Sequence, residues 1–115
     1  MTRKTSNPNP PLKPPVLHIL LALTEGELHG LAIADQAAEA SGGAVRLGPG
    51  TLYRSLDEMK ALELVENVPL RAGDDPRRKN YRLTGKGQQV LEAEVRRLAR
   101  LVTYARDRDL LPEGT

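Results

Sequence analysis

Leu47-Gly48-Pro49-Gly50-Thr51-Leu52-Tyr53-Arg54-Ser55-Leu56-Asp57-Glu58-Met59-Lys60-Ala61-Leu62-Glu63-Leu64-Val65 is the stretch whose reading decides the fold. Gly48-Pro49-Gly50 interrupts whatever precedes it, and Pro49 or Thr51 opens a helix. Leu52, Leu56, Met59 and Leu62 then recur at spacings of four, three and three, which is one apolar helical face. The other face carries Thr51, Arg54, Ser55 and Glu58, short or forked hydrogen-bonding groups near the helix start. Such a helix is built like one that enters a nucleic-acid groove, but taken alone the stretch reads first as an ordinary amphipathic surface helix. Its neighbours decide between the two.

Upstream, a helix is expected from Pro14 or Pro15 through Leu23, apolar nearly all round and so buried on several sides. Gly26 is suited to end it. Leu28-His29-Gly30 leads into a second helix, Leu31 to Ser41, with Leu31, Ile33, Ala34, Ala37 and Ala38 on its buried side. His29 is expected to cap that helix or orient the turn, and Gly30 to allow close approach of another backbone. Gly42-Gly43 stops the helix.

Downstream, Leu64 to Val68 alternates apolar and polar residues, the period of a half-buried strand. Arg71 to Pro76 has turn chemistry, and Arg78 to Leu83 alternates again, with Tyr81 and Leu83 on one side. The pair reads as a cationic hairpin. Thr84 is a good N-cap for a last helix, although Gly85 and Gly87 weaken its first turn. Leu91, Val95, Leu98, Val102 and Ala105 follow at spacings of four, three, four and three, an apolar seam flanked by charge. A seam this long exceeds what a small body covers, so a dimerisation arm is expected.

The 115 residues suffice for one domain. The expected division is a Pro-rich flexible arm over 1–14, a compact domain over 15–84, a dimerisation helix over 85–109 and a tail over 110–115. Five prolines among the first 15 residues favour extended chain there. With no Cys, Phe or Trp, the core must be aliphatic and disulfides are excluded. His18 and His29 have no partner pattern for zinc, so neither metal nor cofactor is expected. No segment has the length of a membrane span or signal peptide, which points to a cytoplasmic protein. The net charge of +2 is unevenly spread: residues 25–70 hold three basic and eight acidic groups, whereas Arg71 to Arg82 holds five basic and two acidic.

Three helices, a two-stranded β wing and a terminal helix make a mainly α winged helix-turn-helix with a C-terminal dimerisation helix. Leu28-His29-Gly30, Gly50-Thr51-Leu52-Tyr53-Arg54-Ser55-Leu56, Leu64-Val65-Glu66, and Arg78-Lys79-Asn80-Tyr81-Arg82-Leu83-Thr84-Gly85-Lys86-Gly87 together resemble the PadR family of bacterial transcriptional regulators, over roughly residues 15–105. The resemblance implies a homodimer, most often a repressor, with its third helix in the major groove of double-stranded DNA and its wing near the backbone or minor groove. It also implies a dimer interface on the C-terminal helix and, in some members, a small aromatic effector between the subunits. Asp57 and Glu58 stand where the family commonly has basic residues, Glu63 where it has glycine, and Leu31 where an aromatic residue is frequent.

The expected DNA-facing groups are Thr51, Arg54 and Ser55, with Tyr53 assisting or else buried at the domain edge, and Arg54 as the guanine reader. Arg77, Arg78 and Lys79 are expected on phosphates, and Leu91, Val95, Leu98, Val102 and Ala105 at the dimer seam. No nucleophile, phosphate-cradling loop or partnered histidine suggests an enzyme. The alternative is a protein-interaction module that uses the acidic surface of residues 25–70 on the same fold.

Overall fold

The computed structural model describes residues 11–112; the arm up to residue 10 and the last three residues lie outside the described residues. Helix α1 spans Pro14–Ala22 with proline in its first turn, and a short 3-10 turn, Leu23–Glu25, continues it. Ile19, Leu20, Ala22 and Leu23 are buried, but Leu21 is exposed, so this helix keeps one open side despite its uniform apolarity.

Strand β1 is the dipeptide Leu28–His29, and α2 runs Gly30–Ala40, starting one residue earlier than its periodicity suggests. Ile33 and Ala37 enter the core, with Ala34 packed beside them. Leu31 does not: it is 66% exposed, because a residue two places before Ile33 lies about 200° round the helix from it. His29 occupies the N-cap position without a side-chain cap bond. Gly43, at φ +89°, returns its N–H to the Ala38 carbonyl at 2.8 Å and closes the helix C-terminus.

Helix α3, Pro49–Ala61, turns Leu52, Ser55, Leu56 and Met59 inward. Ser55 is 8% exposed, which removes it from the expected DNA-facing set: it sits three residues after Leu52 and four before Met59, within the buried stripe. Leu62 is the opposite case. The helix ends at Ala61 and the chain takes a left-handed turn at Glu63 (φ +63°), leaving Leu62 exposed at the C-cap.

Strands β2 (Val65–Asn67) and β3 (Asn80–Leu83) form the expected antiparallel hairpin, pairing Glu66 with Arg82 and Asn67 with Tyr81. The sheet has a third member: β1 pairs along the other edge of β3, Leu28 opposite Tyr81 and His29 opposite Asn80, in the order β1-β3-β2. Two residues are too few to show a period of two, so this strand has no sequence signature. Tyr81, central in the sheet, joins Ile19, Leu20, Ile33, Leu56, Met59, Val65 and Leu91 in one core.

Helix α4 spans Gly85–Asp107. The Thr84 hydroxyl accepts the Gly87 N–H at 3.0 Å and donates to the Glu63 carbonyl, tying the helix start to the end of α3. A Cβ at Gly87 would stand 2.0 Å from the Leu64 carbonyl oxygen, so the glycine that weakens the helix is what lets it touch β2. Leu91 is buried in the domain core and leaves the expected dimer seam, since the first turns of α4 pack on the domain rather than project from it. One turn further, the Glu94 carboxylate is 2% exposed. It holds Arg97 through two bonds of 2.8 Å and accepts the Leu12 N–H at 3.0 Å, so the chain is already anchored before α1 begins.

Candidate nucleic-acid interface

With Leu52, Ser55, Leu56 and Met59 committed to the core, α3 presents Tyr53, Arg54, Asp57 and Glu58 outward, with Thr51 half-buried at its start. Arg54 makes no ion pair with any described residue and stands on the exposed surface of the helix, available to an acceptor from outside. The two acids differ. Glu58 faces a groove beside Leu12, Lys13 and Leu62, whereas Asp57 faces a cleft on the side of the sheet.

That cleft, of about 610 Å³, lies between α3, the start of α2 and the hairpin. Tyr53 and Asp57 line it from α3, His29, Gly30 and Leu31 from the β1–α2 junction, and Arg77, Arg78 and Lys79 from the wing. Of the residues singled out in the sequence, the cleft brings together Tyr53, Arg77, Arg78 and Lys79, whereas Thr51 and Arg54 lie outside its lining and Ser55 is buried. Asp57 joins the lining from α3, one turn after Tyr53, and His29 and Leu31 join it from the β1–α2 junction, where β1 pairs with β3 in a contact that the sequence pattern does not announce.

The basic run of the wing divides by local geometry. The Arg71 N–H bonds the Asp74 carboxylate at 2.7 Å and closes the turn, while its guanidinium pairs with Glu27 on the loop before β1. Arg82 pairs with Glu66 at 2.8 Å across the two strands, at directly opposed register positions. Arg77 caps Asp75: its backbone N–H at 2.9 Å, and then its side chain, hold that carboxyl below the usual carboxylate range. Arg78 and Lys79 remain without an ion pair among the described residues, and both line the cleft. Behind them, burial pushes the Tyr81 phenol up.

On α4, the seam residues Val95 and Val102 are exposed, and Leu98 and Ala105 are half-buried. Leu101 and Tyr104 extend this apolar surface, and the Arg108 guanidinium lies 3.7 Å from the centre of the Tyr104 ring. No helix among the described residues is long and apolar enough to cross a membrane.

The three-helix core, the turn between α2 and α3, and the hairpin that follows α3 define a winged helix-turn-helix protein. A profile of the transcriptional regulator PadR-like family matches residues 19–93. The chain belongs to that family. It is 41% identical, over 83 residues covering 72% of its length, to an uncharacterised 37.1 kDa protein in transposon TN4556 of Streptomyces fradiae, of which it spans only 22%. Its fold is shared with a PadR family transcription regulator from Clostridium difficile R20291, at a TM-score of 0.70 and 23% identity over 83% of this chain and 97% of that one. It is also similar to Bacillus subtilis PadR, solved in complex with operator DNA, at a TM-score of 0.60 and 25% identity over 70% of this chain and 45% of that one.

Proposed function

We propose that this chain is a sequence-specific, homodimeric DNA-binding repressor. Helix α3 enters the major groove with Arg54 as its base reader and Thr51 beside it, and the wing lays Arg78 and Lys79, with Arg77 at its margin, along the phosphate backbone. The observation that carries this reading is the exposure of Arg54 on α3, without an ion pair among the described residues, one residue from Tyr53, which lines a cleft together with Arg78 and Lys79 of the wing. That the similar Bacillus subtilis PadR was solved in complex with operator DNA supports a DNA-binding reading.

An arginine forked onto guanine O6 and N7 discriminates by about 1–3 kcal/mol per base pair, whereas a phosphate contact carries no sequence information. Asp57 faces the same cleft and repels phosphate. It therefore lowers non-specific affinity and sharpens the dependence on base contacts.

Dimerisation places two such faces on a two-fold site through Val95, Leu98, Val102 and Ala105, with Leu101 and Tyr104 widening the contact. The Tyr104 ring is the aromatic surface that a flat effector between subunits would meet. Two variants test the assignment by measured affinity. Arg54→Ala should lose ~1–3 kcal/mol on the preferred duplex and much less on a scrambled one. Arg78→Ala with Lys79→Ala should weaken both duplexes alike and flatten the salt slope by about 2. Wild-type affinity in both variants would move the function to protein partners of the acidic surface.

A further inference from the structure

Gly30 opens α2 at an ordinary helical position, and its φ lies outside the left-handed region, so the backbone does not demand glycine there. What demands it is space. A Cβ at residue 30 would stand 2.6 Å from the Tyr53 hydroxyl oxygen and 3.0 and 3.1 Å from the Cζ and Cε1 atoms of the same ring, and these are its three nearest neighbours. The phenol tip of Tyr53 thus fills the volume that any other residue at 30 would occupy. Gly30 itself is buried under it, whereas Tyr53 remains 47% exposed beside Asp57, Arg78 and Lys79.

We infer that Gly30 is a positioning residue for DNA binding: it seats the Tyr53 ring across the α2–α3 junction so that the hydroxyl donates to a backbone phosphate of the bound duplex, rather than reaching a base. This rests on the DNA-binding function proposed above and deepens it. Three features favour phosphate over base. The ring leans away from the α3 axis toward α2. The cleft that Tyr53 lines is also lined by Arg78 and Lys79, so an anionic strand lying there neutralises both. A tyrosine hydroxyl and a cation pair both serve phosphate without reading sequence. Because the neighbours at Gly30 belong to the far end of one side chain, a methyl group added there displaces the ring and leaves the core intact. The consequence is a loss of binding without a matching loss of stability, which a merely structural glycine would not give.

The test is a double-mutant cycle on the full chain, reading affinity for a duplex that the wild type prefers and for a scrambled one, beside thermal unfolding. Gly30→Ala and Tyr53→Phe should each weaken both duplexes by roughly tenfold, the value of one hydrogen bond to a charged group. The double variant should be no weaker than either single one, since both remove the same contact. Unfolding of Gly30→Ala should stay close to wild type. Wild-type affinity in Gly30→Ala, or losses that multiply to about a hundredfold in the double variant, would overturn the inference. If Gly30→Ala alone does not fold, adding Tyr53→Ala should restore folding by vacating the ring's volume, and failure to do so would also overturn it. A wild-type chain that binds no duplex would overturn the DNA-binding function and this contact together, whereas a binding wild type with an unaffected Tyr53→Phe would overturn the contact alone.

Discussion

Two residues show how far single side chains decide this fold. Gly87 has to be glycine because the Leu64 carbonyl oxygen lies where its Cβ would go. Gly87→Ala must therefore push the start of α4 off β2, and denaturant unfolding should show a loss of ~2–4 kcal/mol, well beyond the gain in helix propensity of under about 1 kcal/mol. Glu94 makes the second case, as a buried carboxylate held ionised chiefly by the Arg97 side chain, with the Leu12 N–H adding to it and burial opposing. Its folded-state pKa is depressed, so its contribution is fully present above the ordinary glutamate value of about 4.3 and is lost as the pH falls through the lower folded value. Glu94→Gln should cost ~1–3 kcal/mol at neutral pH. The variant's own stability should then fall less than that of wild type on acidification below about pH 4, and parallel acid-unfolding curves for the two proteins would contradict this.

Among the elements, α1, α2 and α3 were legible because their apolar residues keep a helical period for two turns or more, and the hairpin because alternation and turn chemistry agree. What stayed hidden has physical reasons. Strand β1 is a dipeptide whose pairing is set by β3, more than 50 residues downstream. Ser55 reads as polar yet occupies a stripe position where a small side chain fits against the core. Glu63 gives no sign of its left-handed backbone, although glycine at that place in the family fits a positive φ. Glu94 looks like a flanking surface acid until Leu12, 82 residues away, is seen to bond it. In the candidate site, the exposure of Tyr53, Arg54 and the wing cations agrees with their type and spacing, whereas the split of the wing cations into paired and unpaired groups depends on Glu27, Glu66 and Asp75 in three dimensions. Helix α4 carries a prediction of its own. About 35 Å long at 1.5 Å per residue, it exposes Val95, Leu101, Val102 and Tyr104 on its later turns. Leu101→Glu with Val102→Glu should turn a dimer into a monomer by sedimentation while leaving the unfolding of the domain core nearly unchanged. A dimer that survives both charges would place the interface elsewhere.

Across the molecule, the charges sort by side more than by total. The acids of residues 25–70 are in part consumed internally, Glu27 by Arg71 and Glu66 by Arg82, and Glu58 turns to another face. With Arg77 paired to Asp75, Arg78 and Lys79 are left to set the potential of the cleft against Asp57, a local cationic excess in a chain of net charge only +2. Two copies joined through α4 would present two such faces, the arrangement that a two-fold operator requires. The most direct measurement is binding of the purified protein to DNA upstream of its own gene, beside a scrambled duplex, over a salt series. The account predicts preferential binding, with log K falling linearly against log salt at a slope of about −0.9 per phosphate neutralised. Absent binding, or binding that is equal on both duplexes and on random genomic fragments and insensitive to salt, would contradict it.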